Sequence, residues 1–544
     1  MKFPHKSITI LSLLFLGTVS CTDLEDKVLD RISAEDLSGI SSQIEPSSAL
    51  AGVYTQLNRF QNQENMYAMQ EHPTDEMVGP TRGTDWSDFG TWRRLHQHSW
   101  DPLHNQVINS WNELNTGVFR ANQTISFAGN DAAGTQIKAE ARFLRAFFMF
   151  QLIDMYGQVP FREATEDPNS VPRVFTRSEA FDFMVADLEA ALQDLNPANG
   201  PGRANQDAAR AMLAKAYLNK AVYKQDPTSP AGPYAFAAAD MNKAIEYTNA
   251  IISSGKYQLQ PNYFDNFHWE NSERSKELIF VIQNTAGSPV ATVQNRYYMT
   301  SHYRQPLNNG GWNGFTTLAD FYNSFEANDT RRGGTPTVAP EMSNQLGMNA
   351  GFLVGQQYSI VDGRLFPLQD RGGRPLEFTP DLDLLYSNER QGIRVIKYLI
   401  KPIPNPDANN PQQPTAPDFI NDPNPGNDYI FLRYADVVLM QAEALLRGGS
   451  GGSGTALSLV NQLRTIRGAT PLTALDDKAL LAERGRELYW EGWRRNDMIR
   501  FGTFLQPKGD TKPFESPAHV VVYPIPQRAL DTNPNLKQNF GYGS

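Results

Sequence analysis

Two polar stretches of this 544-residue chain carry aromatic side chains of the kind that bind sugars. RGTDWSDFGTWRRLHQHSW (82–100) places Trp86 among glycine and aspartate, and YRQPLNNGGWNGF (303–315) places Tyr303 and Trp312 among asparagine and glycine. Broad, rigid rings with a polar edge can cover the apolar face of a sugar and still form hydrogen bonds. Aromatic residues on polar loops suit this task better than those in apolar helix stripes. Trp86, Tyr303 and Trp312 are therefore candidates for a ligand-binding surface, and a sugar is one ligand that such rings suit.

Polar residues next to these aromatic side chains are candidates for binding sugar hydroxyl groups. They are Asp85, Asp88, Arg93 and Asn313. The alternative for the loop tryptophans is burial beneath their own loops, because large aromatic residues are buried on average. Trp100 is predicted to be a core residue, since Ser-Trp-Asp-Pro is typical of the start of a helix.

The motifs that could support catalysis or metal binding lack the context that such sites need. GGSGG (448–452) matches Gly-x-Ser-x-Gly around Ser450, but that motif requires a strand before it, and here a helical pattern precedes a linker-like run. His96, His98 and His104 have no acidic or cysteine partner at a recognisable spacing, so they predict a surface loop and not a metal site. The sequence therefore predicts no metal, no cofactor and no catalytic residue.

Two other classes of protein stay open at this point. A glycoside hydrolase needs only two carboxylates about 5–10 Å apart across a sugar cleft, and the chain has 59 acidic residues from which such a pair could come. A structural helical-repeat adaptor for a protein partner would show no affinity for sugar. Turnover of the bound sugar distinguishes a glycoside hydrolase from a sugar-binding protein. The loop tryptophans distinguish a sugar-binding protein from a structural adaptor.

The only cysteine of the chain, Cys21, ends an apolar segment near the N-terminus. A basic head (2–6), an apolar run (8–16) and small residues before Cys21 form the layout of a secretory signal peptide. The run is shorter than the ~20 residues of a membrane-spanning helix, and a single cysteine cannot form an internal disulfide. Because Thr-Val-Ser-Cys resembles a bacterial lipobox, we predict a lipoprotein signal peptide over residues 1–20 and lipid attachment at Cys21.

Bulk composition limits the partners that the chain can have. Hydrophobic residues make up 40% and charged residues 20%, which is typical of globular proteins. The net charge is −10 and no basic stripe is present, so nucleic acid is not a predicted partner. After the leader, no segment approaches ~18 uninterrupted apolar residues, so no membrane-spanning helix is predicted.

The apolar periodicity predicts a mostly α fold. Leu144, Phe148, Leu152 and Met155 recur at helical spacing, and three phenylalanines fill the neighbouring stripe, which indicates a buried helix. Further helices are predicted at about 206–223 and 237–252. The segments AKAYLNKA and AIEYTNAII resemble tetratricopeptide-type helix pairs, with a generic helical bundle as the alternative.

The composition and the periodicity of the sequence change at about residue 260. Between 260 and 427 proline, glycine and asparagine become frequent and helical periodicity fades, although ELIFVIQ is typical of a strand. The segment 402–429 is predicted to be loop, and GGSGGSG (448–454) a connector between two helices. We therefore predict a helical-repeat region over 21–260 and a C-terminal region over 261–544, in which a loop-rich insertion binds the ligand and helices close the fold.

Four segments of the chain resemble signature segments of the SusD/RagB family and occur in the family's order. They are AEARFLRAFFMFQLIDMYGQVP (139–160), YIFLRYADVVLMQAEALLR (429–447), ERGRELYWEGWRRNDMIRFG (483–502) and YPIPQRALDTNPNLKQNFGYG (523–543). The resemblance implies a surface lipoprotein of Bacteroidetes, built on tetratricopeptide-like helix pairs and held at the outer membrane through Cys21.

The resemblance also implies a function and some of its residues. Family members bind glycans for a partner TonB-dependent outer-membrane barrel of the SusC type, so the expected protein is a binding protein and not an enzyme. The loop DWSDFGTW (85–92) resembles one that supplies aromatic platforms in glycan-binding relatives, which implies that role for Trp86 and Trp92. Peptide-binding relatives keep a peptide or another nutrient open as the ligand.

The segment 483–502 is dense in charge, and the resemblance implies that it is structural. Glu491 has Arg494 and Arg495 at i+3 and i+4, which predicts ordinary pairing along one helix. We interpret Glu483, Glu487 and Glu491 as part of the scaffold and not as acid–base catalysts.

Overall fold

The computed structural model describes residues 45–167, 169–288, 292–334, 345–410 and 412–543. The predicted signal peptide and Cys21 lie outside the described residues, so both stay predictions. Within the described ranges, no helix combines the length and the apolar character that crossing a bilayer requires.

The N-terminal part of the chain is built mainly from helices. They are α1 (Pro46–Leu57), α2 (Asn65–Glu71), α3 (Thr91–His96), α4 (Asn105–Phe127), α5 (Ala132–Met155), α6 (Arg177–Asp194), α7 (Gln206–Tyr223) and α8 (Ala238–Ile252), with a short antiparallel pair, β1 (Val159–Phe161) and β2 (Arg173–Phe175), between α5 and α6. The helices predicted at 206–223 and 237–252 are confirmed as α7 and α8.

Helix α5 is buried along most of its length, as its sequence predicts. Asp131 caps its N-terminus by accepting a hydrogen bond from the Gly134 amide at 2.8 Å. Every residue from Ala139 to Met155 except Arg142 is buried. A Cβ at Gly117 of α4 would lie 2.6 Å from the Phe148 ring, so glycine lets these two helices approach closely.

The middle of the chain contains short helices and strands. The helices are α9 (Asn271–Arg274), α10 (Asn295–Tyr298) and α11 (Ala319–Asn323), and the strands are β3 (Leu278–Ile282), β4 (Gly351–Leu353), β5 (Gly355–Gln356), β6 (Tyr358–Val361), β7 (Arg364–Pro367), β8 (Glu377–Phe378), β9 (Arg394–Ile396), β10 (Pro402–Pro404), β11 (Phe419–Asn421) and β12 (Tyr429–Arg433). ELIFVIQ is confirmed as the buried strand β3, which pairs antiparallel with β12. The prediction of loop throughout 402–429 is wrong, because β10 and β11 pair there.

Helices close the fold at the C-terminal end. They are α12 (Tyr434–Leu446), α13 (Ala456–Ile466), α14 (Asp477–Leu488), α15 (Arg494–Arg500) and α16 (Gln527–Thr532). The glycine-rich run 448–454 connects α12 to α13, as predicted. Consecutive helices from α4 to α8 pack side by side, and α12 packs on α8. This packing is consistent with helix-pair repeats, so the predicted mostly α, tetratricopeptide-like scaffold is confirmed, whereas the division at residue 260 stays a prediction.

A network of buried ion pairs surrounds the end of α14. The Glu487 carboxylate accepts hydrogen bonds from Arg433 at 2.7 Å, Arg467 at 2.8 Å and Arg331 at 3.1 Å, and all four side chains are almost fully buried. Glu483 binds Arg331 at 2.7 Å and also contacts two further arginines. These partners come from distant segments, so the network joins the C-terminal helices to the middle of the chain, which supports the scaffold interpretation.

The predicted pairing of Glu491 along its own helix is wrong. Glu491 lies beyond the end of α14, in a turn where Trp490 and Gly492 have left-handed φ values of 58° and 84°. It pairs instead with Lys397 at 2.7 Å and with Arg433 at 2.8 Å. The i+3 and i+4 geometry exists only within a continuous helix, and the turn removes it.

The stability of the protein should fall in acid because of Glu483. Burial alone would raise the pKa of this carboxyl, but the charges of Arg331, Arg486 and Arg464 lower it to about 2, below its ordinary 4.5. A depressed carboxyl pKa stabilises the fold above pH ~4.5, and the stabilisation is lost as the pH falls towards 2. Urea unfolding at successive pH values should show a loss of about 3 kcal/mol over this window from Glu483 alone. A free energy of unfolding that stays constant from pH 5 to pH 2 would contradict this account.

Candidate functional site

The two polar segments that carry the aromatic residues, 82–100 and 303–315, meet at a groove of about 800 Å³. The segment before α3 and the loop after α10 form two of its walls, and the first turns of α4 and the residues before α2 contribute polar side chains. Its lining residues are Gln63, Glu64, Asp85, Trp86, Asp88, Phe89, Thr91, Trp92, Asn105, Gln106, Asn109, Tyr303, Gly311 and Trp312.

Backbone hydrogen bonds fold the 303–315 loop back on α10 and position Trp312. The Trp312 amide donates to the Tyr298 carbonyl at 2.8 Å, and the Asn313 amide donates to the Ser301 carbonyl at 2.7 Å. A Cβ at Gly311 would lie 2.1 Å from the Ser301 carbonyl oxygen, so this approach requires glycine. The Trp312 ring then stacks on Tyr298, with centroids 5.6 Å apart and planes at 20°. One face of the indole is therefore supported by the protein.

Trp86 links the two loops. Its indole Nε1 donates a hydrogen bond to the Trp312 carbonyl at 2.8 Å, and its φ of 60° lies in the left-handed region. A Cβ at Gly314 would lie 2.5 Å from the Trp86 ring, so the indole packs directly on the glycine backbone. Phe315 lies beneath, with ring centroids 4.9 Å from Trp86. Trp86 is thus half-buried and fixed in orientation before any ligand arrives.

Trp92 is buried and supports the groove from within. Its Nε1 donates to Asp88 Oδ2 at 2.6 Å, and only 5% of the residue is exposed. Its ring lies 5.9 Å from Trp86 and 5.0 Å from Phe315. Both outcomes considered for the loop tryptophans therefore occur here: Trp92 is nearly buried, while Trp86 and Trp312 are half-exposed.

Tyr303 is held by charged groups at one side of the groove. Its hydroxyl donates a hydrogen bond to the Asp85 carboxylate, and the Arg371 guanidinium lies 4.0 Å from its ring centroid. Arg371 also contacts Asp85 at 3.3 Å and pairs with Glu389. Burial and the hydrogen bond to Asp85 raise the pKa of Tyr303, so the hydroxyl stays protonated at neutral pH.

The structure brings together most of the residues predicted from the sequence. Arg93 is half-buried on α3 and does not line the groove. Asn313 is fully buried, and its Oδ1 accepts a hydrogen bond from Arg394 at 2.9 Å, so its placement does not support the predicted contact with sugar hydroxyls. The predicted residues that do line the groove are Asp85, Trp86, Asp88, Trp92, Tyr303 and Trp312.

Phe89 is a candidate binding residue that the sequence analysis missed. It lines the groove, its side chain is fully exposed, and its φ of 53° lies between left-handed values at Asp88 (34°) and Gly90 (80°). Backbone strain of this kind costs free energy and concentrates at functional sites. The Phe-Gly pair inside a polar loop is the signal that could have indicated it.

The three histidines of the 82–104 segment are buried, so the predicted surface loop is wrong for them. His96 Nε2 lies 2.9 Å from the Thr511 hydroxyl, and His98 Nδ1 lies 2.9 Å from the Ser516 hydroxyl. Burial lowers the pKa of His96 to about 3, so it is neutral at pH 7. These contacts join the 82–104 segment to the C-terminal segment.

Across the described parts of the chain, no group of three or more His, Cys, Asp and Glu side chains could hold a metal. Trp100 is confirmed as a core residue.

Two family models match the chain. The model described as the SusD family matches residues 413–542, and the model described as starch-binding, associating with the outer membrane, matches residues 28–218.

Curated relatives extend the similarity over most of the chain. It is 26% identical over 515 residues to the starch-binding protein SusD of Bacteroides thetaiotaomicron, covering 87% of this chain and 84% of the relative. A SusD-like protein of Bacteroides ovatus is 24% identical over 425 residues, covering 75% of this chain and 67% of the relative.

Solved structures share the fold. A SusD superfamily protein from Parabacteroides distasonis has a TM-score of 0.67 at 19% identity, covering 91% of this chain and 99% of its own. Surface glycan-binding protein A from Bacteroides thetaiotaomicron, solved in complex with laminarihexaose, has a TM-score of 0.60 at 20% identity, covering 91% and 98%.

Proposed function

This chain belongs to the SusD/RagB family, and from that premise we propose that it binds an oligosaccharide and delivers it to a SusC-like TonB-dependent outer-membrane barrel. Starch-binding and glycan-binding names among its relatives support a glycan as the ligand. The observation that carries the proposal is the groove, in which Trp86, Trp312 and Tyr303 meet amide and carboxylate side chains.

The groove combines the two kinds of contact that a sugar needs. The half-exposed indoles of Trp86 and Trp312 offer apolar area, and burial of such area contributes roughly 25 cal/mol per Å². Both rings are already fixed by protein contacts, so binding costs little additional side-chain entropy. Pre-organised aromatic faces favour capture of a ligand.

Polar side chains around the rings can satisfy the hydroxyl groups. Asn105 and Asn109 on α4 and Gln63 before α2 line the groove with amides, each of which both donates and accepts hydrogen bonds. Asp88 and Glu64 are exposed, and their carboxylates can accept hydrogen bonds from the hydroxyl groups of a sugar. The mixture of donors and acceptors suits a ligand whose hydroxyl groups act as both.

The proposed location follows from the N-terminal segment and from the family. Acyl chains on Cys21 would hold the protein at the outer membrane, where two or more chains give stable anchoring. The protein would remain at the cell surface beside the barrel, and the transport energy would come from the partners of the barrel. The proposed task is binding and delivery, and it requires no chemical step and no cofactor.

Calorimetric titration of the leaderless chain against a panel of oligosaccharides tests the proposal, with each sugar checked for cleavage afterwards. Binding in the micromolar to millimolar range with intact sugar supports capture. Cleaved sugar would make the protein a glycoside hydrolase. A folded sample that binds no sugar on the panel would contradict the glycan proposal and direct the search to peptides or a protein partner.

Replacing Phe89 with alanine should weaken binding without changing stability. Its phenyl ring is fully exposed at the groove, so only a ligand can gain from covering it. We expect a loss of about 1 kcal/mol of binding free energy, roughly fivefold in affinity, and a free energy of unfolding within about 0.5 kcal/mol of the parent. Phe514→Ala, at an exposed phenylalanine that does not line the groove, is the matched control. Equal affinities for the two variants would contradict a role for Phe89.

A further inference from the structure

We infer that the groove selects uncharged glycans and rejects those that carry carboxylate or sulfate groups. The inference rests on the proposed function and specifies its ligand class. It follows from the charges of the side chains that line the groove and from the ion pairs that two neighbouring arginines already form.

The charged residues that line the groove all carry the same sign. They are Glu64, Asp85 and Asp88, and the described lining residues include neither lysine nor arginine. Asp88 and Glu64 are exposed, and their carboxylates accept hydrogen bonds from uncharged donors: the Trp92 indole at 2.6 Å and the Gln63 amide at 3.3 Å. Both carboxylates line the groove, where an incoming ligand would meet them.

Two arginines near the groove, Arg371 and Arg94, are paired with the protein's own carboxylates. Arg371 lies over the Tyr303 ring, 3.3 Å from Asp85, and is also paired with Glu389. Arg94 pairs with Asp101 at 2.6 Å. Arg93 and Arg304 adjoin groove residues in the sequence, but neither lines the groove. The bidentate arginine contacts by which proteins recognise carboxylate and sulfate groups are therefore missing from the described lining.

The carboxylates of Asp88 and Glu64 should strengthen the binding of neutral sugars and weaken the binding of anionic sugars. A sugar hydroxyl donates to a carboxylate in a charge-assisted hydrogen bond, which is stronger than a neutral one. A uronate or sulfate about 4 Å from Asp88 or Glu64 is repelled, and in a water-like medium this repulsion weakens affinity on the order of fivefold for each pair of charges. The net charge of −10 adds a weaker repulsion in the same direction.

The test compares neutral oligosaccharides with anionic ones, including neutral and anionic forms of galactose and mannose oligomers. Calorimetric titrations at low and high salt would use neutral gluco-, manno-, xylo- and galacto-oligosaccharides beside galacturonate, mannuronate and sulfated galactose oligomers of equal length. The double variant Glu64→Gln/Asp88→Asn removes the two free charges, and the asparagine keeps an acceptor for the Trp92 indole. Glu273→Gln, at an exposed glutamate that does not line the groove, is the control for overall charge.

Each outcome decides the inference. It predicts that a neutral oligosaccharide binds at least about fivefold more tightly than its anionic counterpart, and that the ratio shrinks at high salt. It also predicts that the ratio shrinks in the double variant but not in Glu273→Gln. An anionic glycan that binds as tightly as the neutral one would overturn the inference and leave the proposed function standing. An equal change of the ratio in both variants would also overturn it. Failure of both ligand classes to bind would refute the proposed function, and the inference with it.

Discussion

Replacing Glu487 with glutamine is expected to lower the free energy of unfolding by about 3–5 kcal/mol. The Glu487 carboxylate accepts hydrogen bonds from three arginines, at 2.7 Å from Arg433, 2.8 Å from Arg467 and 3.1 Å from Arg331, in a site that is closed to solvent. Burial would raise the pKa of this carboxyl, but the charges of Arg467 and Arg433 hold it well below its usual range. Glutamine keeps the shape and removes the charge, so three buried guanidinium groups lose their shared counter-ion.

Urea unfolding of the parent and the variant measures this difference, and the unfolding slope shows whether both remain two-state. Glu246→Gln is the matched control, because Glu246 pairs with Lys243 at 2.8 Å on the surface, where both side chains are about half exposed. Exposed pairs contribute about 0–1 kcal/mol, so the control should unfold almost as the parent does. A Glu487→Gln protein that is as stable as Glu246→Gln would contradict the role given to the network.

Trp312→Ala is expected to weaken oligosaccharide binding by about 2 kcal/mol or more, roughly 30-fold in affinity. The substitution removes an indole that lines the groove and rests on Tyr298. The hydrogen bond from the Trp86 indole uses the backbone carbonyl of residue 312, and alanine retains that group. The loss of affinity should therefore come from the missing indole ring and not from a change in the conformation of the 303–315 loop.

Titration of the variant against the tightest-binding oligosaccharide measures this loss. Trp269→Ala is the matched control, since Trp269 is also half-buried but packs on His268 and does not line the groove. Thermal unfolding of both variants shows whether each is folded. If Trp312→Ala binds as tightly as Trp269→Ala in folded samples, the aromatic groove is not where the sugar binds.

The helices could be predicted because their signals are local. The apolar stripe of α5 indicates a buried helix, and the patterns of α7 and α8 predict the ends of those helices within one residue, since side-chain periodicity reports which face is buried. The pairing of β10 with β11 could not be predicted. Its two three-residue strands, at 402–404 and 419–421, are joined by a polar, proline-rich segment that carries no periodic pattern.

Several aromatic residues of the candidate site could be predicted because polar loops leave aromatic residues few places to pack, although Phe89 was missed. Trp86 and Trp312 were found by that argument, although their direct hydrogen bond joins segments more than 200 residues apart. The burial of Asn313 depends on its distant partner Arg394. Local sequence contains no information about such a partner, so this role could not be assigned correctly.

The partners of the buried charged and histidine side chains could not be predicted from the local sequence either. Glu491 has arginines at helical spacing, yet it pairs with Lys397 and Arg433 from other parts of the chain. His96 and His98 stand in a polar segment, yet they are buried by contacts with Thr511 and Ser516. In both cases a long-range contact overrides the local pattern.

The central claim is that the aromatic groove binds the glycan, and a crystal structure of the chain with its tightest-binding oligosaccharide tests it most directly. The account predicts a sugar ring in contact, within about 4 Å, with the indole of Trp86 or Trp312. The chain has another open groove, where Tyr257 and Tyr434 stack with centroids 6.2 Å apart. A sugar found there, or at any other place where it contacts neither Trp86 nor Trp312, would contradict the account.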